Sequence, residues 1–349
     1  MDLASNTLFA VLNVGLIYAL RKRPRPVVFL ALLAAAGFAS LMASALIGRG
    51  LFGMMRVLAW AVFVHGMIAL AAGAVLLWKS HRPVAVVAAG LAGLTALVGL
   101  DAFFIEPHSL QIERFKIASA KVSRPLKIAI VADIQTDEVG PYERAALAAA
   151  MNEKPDLVLF AGHYLQEHDD TKRAELIRQL RSALKDAGLH GPKAAVAVAG
   201  NCDYADWPKI FEGTGVAHTT VRQSVRQADF ELTALGLEDS FNTALSVPES
   251  NLFHIVVGHS PDYALGDVRA DLLIAGHTHG GQVRLPLIGP LITLSRIPRA
   301  WAAVMTSLSG GRTLVVSRGI GMERGPAPRL RFLCRPQIVV VDVIPRKGQ

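Results

Sequence analysis

The residues of this chain best suited to chemistry are two histidines spaced one residue apart. His277 and His279 flank a single threonine, directly after the apolar run LLIAG and directly before Gly280 and Gly281. Imidazole nitrogens are common ligands of transition metals. In an extended segment the two side chains would point to the same side, because side chains alternate along a strand, and the glycines would let a ligand approach. This pattern predicts a metal-binding cavity.

The elements that must position these histidines are short buried strands. After residue 106, apolar runs alternate with helical patterns near 142–152 and 172–188, which is typical of a layered α/β domain. The runs are 126–133, 156–162, 194–201, 254–260, 271–277, 313–319 and 337–343. Four of them end in a polar residue that could bind metal, namely Asp133, Asn201, His259 and His277. Ligands of open α/β sheets bind beyond the carboxyl ends of the strands, so we expect these side chains to converge.

Several short blocks carry a family resemblance. They are ADIQTD (132–137), AGHYLQ (161–166), AGNCD (199–203), VVGHSPD (256–262) and GHTHGGQVRLP (276–286). Together they resemble the calcineurin-like metallophosphoesterase superfamily. The segment SRGIGMERGPAPRLRFLCRPQIVVVDV (317–343) resembles the closing part of its membrane-associated bacterial branch. The likeness covers about residues 106–345 and implies an αββα sandwich.

The resemblance also implies a chemistry. Members of this superfamily hold two divalent cations bridged by a carboxylate and hydrolyse phosphate esters with metal-activated water. By position, Asp133 and His279 would bind the first cation, and Asn201, His259 and His277 the second. Imidazole and hard oxygen ligands suit Mn, Fe or Zn.

Three residues depart from the family pattern. Gln135 stands in place of a histidine ligand, His163 in place of the bridging aspartate, and Cys202 in place of a histidine that assists the leaving oxygen. A neutral imidazole offers one lone pair to one metal and no negative charge, so the bridge is the element most affected. His163 could instead complete a set with Asn201, His259 and His277, and a single bound cation is then easier to form than a pair.

The catalytic assignments come from the AGNCD block. By position, Asn201, Cys202 and Asp203 would lie beside the phosphate ester. For Asp203, direct binding of a metal and orientation of another ligand are both open interpretations.

The first 105 residues form a different region. The whole chain is 52% hydrophobic, and four apolar segments at about 4–20, 26–48, 57–78 and 83–105 each approach the roughly 20 residues that cross a bilayer. This predicts a four-helix transmembrane region over 1–105 and a metallophosphoesterase domain over 106–349. In the third segment, His65 is expected to face another helix, marking a buried polar contact or a lipid head-group path.

Charge predicts the orientation of these segments. Residues 1–105 hold eight Lys or Arg and two Asp, a net charge of +6, and the remaining 28 basic and 26 acidic residues leave +2. The basic residues lie between the apolar segments, which indicates membrane orientation and argues against a nucleic-acid partner. The first and third loops hold six of them and the second loop two, Arg49 and Arg56. We therefore expect a multi-pass protein of the cytoplasmic (inner) membrane with its C-terminal domain outside the cytoplasm.

Two functional hypotheses follow. The first is a membrane-tethered, metal-dependent phosphoesterase acting on a phosphate ester or pyrophosphate. A lipid-linked substrate suits it, because tethering holds enzyme and substrate in one plane. The alternative is a catalytically weakened homologue that binds metal or phospholipid as a sensor or scaffold. A transporter is disfavoured, since His65 and Asp101 alone offer little polar pathway across four spans.

Overall fold

The computed structural model describes residues 2–189, 194–303 and 305–346, and the chain divides into two compact units. The helical unit comprises residues 1–105 together with 323–329. The second unit comprises residues 106–322 and 330–349. The predicted domain end at Gln349 lies outside the described residues.

Four helices are long and apolar enough to cross a membrane: Asp2–Lys22, Pro26–Ile47, Gly50–Leu77 and Arg82–His108, of which residues 106–108 belong to the second unit. The first two are α1 and α2. The third consists of α3 (Gly50–Trp60), a π-helical turn (Ala61–Gly66) and α4 (Met67–Leu77). The fourth consists of α5 (Arg82–Leu100), a second π-helical turn (Asp101–Ile105) and a 3₁₀ turn (Glu106–His108). Large apolar side chains such as Val27, Leu46 and Val75 are exposed on these helices, as lipid-facing residues would be.

The third helix corrects the predicted boundaries. It begins at Gly50 rather than near residue 57, so Arg56 lies inside α3 and not in a loop. Its guanidinium Nη2 lies 2.5 Å from Asp2 Oδ2. The sequence predicted a loop over residues 49–56 because Arg49 and Arg56 are charged. The ion pair with Asp2 offsets the charge of Arg56 within the helix.

His65 forms a polar contact inside the helical unit. Its Nε2 lies 2.9 Å from Asn6 Oδ1, and Asn13 Nδ2 donates to the His65 carbonyl at 3.1 Å. A π-helical turn shifts the backbone hydrogen bonding, so its carbonyls become available to side chains. The contact joins α1 to the third helix, in agreement with the first of the two interpretations of His65.

The second unit is built on two six-stranded sheets. The first has, in spatial order, β1 (Gln111–Ser119), β16 (Gln337–Pro345), β2 (Leu126–Val131), β3 (Leu157–Phe160), β4 (Ala194–Val198) and β5 (Ala217–Thr219). The second has β14 (Met305–Ser307), β15 (Thr313–Val316), β11 (Leu272–Ala275), β9 (Phe253–Val257), β7 (Phe230–Ala234) and β6 (Gln223–Arg226). Two short pairs are β8 (Ser246–Val247) with β10 (Asp267–Val268), and β12 (Arg284–Leu285) with β13 (Gly289–Pro290).

The core has the layered form expected of an α/β domain. Alternate residues of β3 face opposite sides: Leu157 and Leu159 belong to the core between the sheets, whereas Val158 and Phe160 pack toward the helices. Those helices are α6 (Pro141–Asn152) and α7 (Asp170–Asp186). On the outer face of the second sheet lies a 3₁₀ turn (Pro261–Leu265), against which the short helix α8 (Leu237–Phe241) packs.

This topology determines where the site forms. Strands β2, β3 and β4 are parallel neighbours, as are β9 and β11, so the carboxyl ends within each set meet at one edge. The strands end earlier than predicted. Strand β2 stops at Val131 because Asp133, with a φ of 48°, has left the extended conformation.

Candidate metal centre

The loops that follow five strands place their polar side chains together. One group of potential ligand atoms comes from His163, His259 and His277, and a second comes from Asp133, His163 and His279. Within each group the atoms lie within 4.8 Å of one another. His163 belongs to both groups. The arrangement is therefore two adjacent ligand sets that share the residue standing where the family places its bridging carboxylate.

Asn201 and Gln135 complete the predicted set. Asn201 Oδ1 lies 3.0 Å from His163 Nε2 and 3.1 Å from His259 Nε2. Gln135 is buried beside these residues, and its Nε2 donates to Gln166 Oε1 at 2.9 Å. The structure thus brings all seven predicted ligands to one region of the unit, with Gln135 engaged by a neighbouring amide.

Five of these side chains stand on an unusual backbone. Positive φ values occur at Asp133 (48°), Gln135 (33°), His163 (57°), His277 (68°) and His279 (47°). Such conformations cost about 1 kcal/mol or more for residues other than glycine and tend to cluster at functional sites. They also correct the expectation for the two histidines. The segment 277–279 is not extended, and its imidazoles converge because both residues are left-handed, with His279 opening a 3₁₀ turn.

Backbone carbonyls orient two of the imidazoles. His259 Nδ1 lies 2.8 Å from the Ala161 carbonyl, so this nitrogen donates and the lone pair of the neutral ring is on Nε2, which lies 3.1 Å from Asn201 Oδ1. His277 Nε2 lies 3.1 Å from the Leu294 carbonyl, so the Nδ1 atom is left to present the lone pair. A carbonyl partner on the outer nitrogen fixes the ring tautomer in this way at many metal sites.

Unpartnered nitrogens indicate that these residues fit a cation. Among the described residues, neither ring nitrogen of His279 has a hydrogen-bond partner, nor does His277 Nδ1, and all three atoms are buried. A buried polar atom without a partner costs about 1–3 kcal/mol. A bound cation would satisfy the lone pair of His277 Nδ1 or of one His279 nitrogen.

The electrostatics favour deprotonated ligands at most of these positions. Burial lowers the pKa of His279 to about 3, and it lowers the pKa values of His259 and His277 below the ordinary range. Burial alone would raise the pKa of Asp133, but the surrounding imidazoles, chiefly His279 and His163, outweigh it and hold that pKa below its usual value. For His163, burial opposes protonation, yet the hydrogen bond to Asp133 raises its pKa.

Asp203 acts on the backbone of the site rather than on the ligand cluster. Its carboxylate accepts N–H groups from Gly200 at 2.7 Å, His163 at 2.8 Å and Tyr164 at 2.7 Å. It therefore ties the loop after β3 to the loop after β4. Of the two open interpretations of Asp203, the structure favours the orienting role. Cys202 lies at the half-buried rim, with Sγ 3.9 Å from Gln135 Nε2.

A buried arginine was not anticipated from the sequence. Arg331 is fully buried, and its guanidinium donates to the carbonyls of Gly321, Arg318 and Cys334. The loop that it holds packs against Asp133, since a Cβ added to Gly319 would lie 2.5 Å from Asp133 Cβ. Arg331 stands among several arginines of the segment 318–335, and no spacing in the sequence distinguishes it from them.

Comparison with known proteins agrees with this geometry. The family model for calcineurin-like phosphoesterase matches residues 126–281. The metallophosphoesterase YkuE of Bacillus subtilis is 28% identical over 260 residues, covering 68% of this chain and 86% of YkuE. The phosphodiesterase YaeI of Escherichia coli is 28% identical over 260 residues, covering 69% of this chain and 91% of YaeI. A metallophosphoesterase of Aquifex aeolicus is 24% identical over 265 residues, covering 68% of this chain and 94% of that protein.

The family match spans the strands and loops that carry the ligand cluster, and the four apolar helices precede the residues that it covers. The two-sheet α/β architecture and the sequence similarity lead to the same assignment. Residues 126–281 carry a calcineurin-like phosphoesterase domain.

Proposed function

We propose that this protein is a membrane-tethered, metal-dependent phosphoesterase whose substrate is a phosphate ester linked to a lipid. The observation that carries the proposal is the convergence of two ligand groups on His163, with buried ring nitrogens at His277 and His279 that lack hydrogen-bond partners among the described residues. Similarity to a protein named phosphodiesterase supports the reaction class. The four apolar helices support tethering.

We further propose that the site holds one divalent cation. Asp133 is the single carboxylate in the two ligand groups, so two dications would leave a net charge of about +3 in a buried cluster, against about +1 for a single ion. Both oxygens of nearby Asp203 already accept backbone N–H groups. His163, His259 and His277 with the Asn201 oxygen form a three-nitrogen, one-oxygen set that suits Zn, Mn or Fe.

Each residue of the site has a separate role in the proposed hydrolysis. A divalent cation held by these residues would supply Lewis acidity and would lower the pKa of water bound to it. His259 and His277 are held by the carbonyls of Ala161 and Leu294, so their orientation is set before any ligand arrives. His279, which is neutral because burial lowers its pKa to about 3, can hydrogen-bond a phosphoryl oxygen without adding charge. Cys202 stands where the leaving oxygen would be protonated, and a thiol is a weak donor for that step.

A paired measurement tests this proposal. Elemental analysis of the detergent-purified protein should give one equivalent of Mn, Fe or Zn per chain. The same preparation should hydrolyse an aryl phosphodiester and lose this activity after treatment with a chelator. Folded protein that shows no turnover with Mn, Fe, Zn or Mg would overturn the proposal.

A second candidate function has its own motivation. His163 supplies no bridging charge, and Cys202 replaces a better proton donor, so the chain could bind metal or a phospholipid head group as a sensor without efficient turnover. The double variant His163→Asp with Cys202→His separates the two functions. A competent enzyme should gain little from it, whereas a weakened relative should gain orders of magnitude in hydrolysis.

A further inference from the structure

A small hairpin beside the metal centre presents apolar side chains to the surroundings. Strands β12 and β13 form it, and the chain continues through residues 291–294. Relative exposures are 108% for Leu287, 62% for Ile288, 41% for Leu291 and 54% for Leu294. Leu287 is the most exposed of the large apolar side chains in the described part of the chain. Exposed apolar groups clustered in this way mark a surface that binds a partner or a membrane.

The backbone of the hairpin makes these leucines more unusual. Leu287 has a φ of 66° and Leu294 a φ of 51°. This left-handed region favours glycine or asparagine, so a leucine there costs conformational free energy as well as hydration free energy. Entry of these side chains into an apolar phase would remove the hydration cost.

The hairpin is held rigidly next to the ligand cluster. The Leu294 carbonyl accepts the hydrogen bond that orients His277. A Cβ added to Gly281, in the turn that follows His279, would lie 2.3 Å from Pro290 Cβ, so glycine lets the hairpin pack directly on that turn. At the base, the Arg284 N–H donates to the Phe332 carbonyl at 2.9 Å. Whatever contacts the hairpin tip is therefore kept at a fixed distance from the metal centre.

Basic residues accompany the apolar tip. Arg284 is partly exposed at the base, and Arg296 and Arg299 are exposed just beyond the hairpin. Guanidinium groups bind phosphate oxygens well, and arginines next to apolar side chains are typical of segments that rest in the surface of anionic membranes.

We propose that the hairpin of residues 284–294 inserts its apolar tip into a bilayer containing anionic phospholipid and holds the metal centre at the level of the lipid head groups. The occupant is a bilayer because the same chain carries four candidate membrane spans and because arginines border the tip. A lipid-linked phosphate ester would then reach the ligand cluster without leaving the membrane. This consequence for catalysis rests on the proposed function. Insertion itself does not depend on turnover.

The decisive experiment measures depth. The full chain is placed in nanodiscs of phosphatidylcholine and phosphatidylglycerol, with an environment-sensitive fluorophore on Leu287→Cys. The matched control is Val225→Cys, which is 51% exposed on β6 of the same unit. The unsubstituted chain, labelled in the same way, gives the background from the free cysteines Cys202 and Cys334.

We expect spin-labelled acyl chains to quench the probe at residue 287 several-fold more than the probe at 225, together with a blue shift of its emission. Equal, weak quenching at both positions overturns the proposal. A blue shift at 287 that appears only when each nanodisc holds two protein copies, without lipid quenching, also overturns it in favour of a protein–protein contact.

A second measurement separates this inference from the proposed function. The variant Leu287→Ser with Ile288→Ser should lower the ratio of turnover on a vesicle-borne phosphodiester to turnover on a soluble aryl phosphodiester by about tenfold. The control variant Val221→Ser with Val225→Ser should leave that ratio unchanged. Equal loss on both substrates contradicts the inference. If the parent protein hydrolyses neither substrate, the proposed function fails, and the quenching experiment still decides insertion.

Discussion

At the scale of single residues, Asp203 gives the sharpest prediction. Asp203→Asn keeps one acceptor oxygen but turns an amide donor toward backbone N–H groups of the loops that carry His163 and Asn201. Hydrogen bonds to a charged group contribute about 1.5–3 kcal/mol, so we expect a stability loss of that order and at least a tenfold weaker affinity for metal. Thermal unfolding and metal titration measure both quantities.

The control for this variant is Asp229→Asn, which removes a carboxylate paired with the exposed Arg124. Because surface ion pairs contribute little, we expect almost no change in either quantity. An Asp203 variant that binds metal as tightly as the parent would contradict the positioning role.

A second residue predicts a pH dependence away from the ligand cluster. His254 is buried on β9, and its Nε2 lies 2.9 Å from Thr233 Oγ1. Burial lowers its pKa below the ordinary value of 6.5, so the unfolded chain binds the proton more readily than the folded one. This contribution to the free energy of unfolding is therefore complete above pH 6.5 and is lost as the pH falls below it.

The test compares thermal midpoints of the parent and His254→Gln between pH 7.5 and 5.5, both with metal removed by a chelator. We expect a smaller acid-induced decrease in the variant, because the other buried histidines titrate alike in both proteins. Identical decreases would show that His254 takes no proton in this range.

The sequence predicted which polar side chains lie together, because parallel strands bring polar ends such as Asp133 and Asn201 to a common edge. It could not predict the directions in which those side chains point. The left-handed conformations of His163 and His277 are imposed by tertiary packing, and local residue preferences give no sign of them. The role of Asp203 was equally hidden, since accepting three backbone N–H groups requires two loops that are far apart in the chain to be adjacent.

At the scale of elements, substitutions at two glycines distinguish the cost of backbone strain from the cost of a steric clash. Gly319 and Gly310 have nearly the same φ, 72° and 73°. A Cβ on Gly319 would meet Asp133 Cβ at 2.5 Å, whereas nothing lies within 4 Å of a Cβ on Gly310. Gly310→Ala should cost only about 1 kcal/mol of backbone strain. Gly319→Ala should also displace Asp133 and reduce metal occupancy severely, as elemental analysis and thermal unfolding would show.

If the two alanine variants lose the same stability and keep the same metal content, the loop held by Arg331 does not position Asp133. A smaller side chain at position 133 would make room for the alanine of Gly319→Ala. We do not expect it to restore the metal content, because it would also remove the Asp133 carboxylate, which is a ligand candidate.

The positions of strands and helices could be predicted where the apolar pattern was strong. They could not be predicted where a strand pairs with a segment far away in the sequence. The runs that became β2, β3 and β11 were evident from composition. Strand β1 was missed, because its sequence QIERFKIAS alternates imperfectly and its partner β16 lies at the other end of the unit. The third apolar helix was shortened in the prediction because the ion pair of Arg56 with Asp2 is invisible in a linear sequence.

At the scale of the whole molecule, the distribution of basic residues predicts sidedness. A reporter fused after Gln349 should be active outside the cytoplasm, because the first and third loops hold most of the basic residues of the helical unit. A reporter inserted in the loop between Lys79 and Arg82 should behave in the opposite way. Protease protection in spheroplasts provides an independent measurement, and a shielded C-terminal fusion would reverse the predicted topology.

The position of β16 has a consequence for biosynthesis. It lies between β1 and β2, and it is the neighbour of β1 in the sheet. A ribosome must therefore translate through Pro345 before the first strand of the unit can pair, long after the apolar helices have emerged. Until then, one edge of β2 stays open and vulnerable to aggregation. The proposed membrane tethering would hold the nascent polypeptide by its helices during this interval. It would thereby keep neighbouring copies apart, which is a second benefit beside access to a lipid-linked substrate.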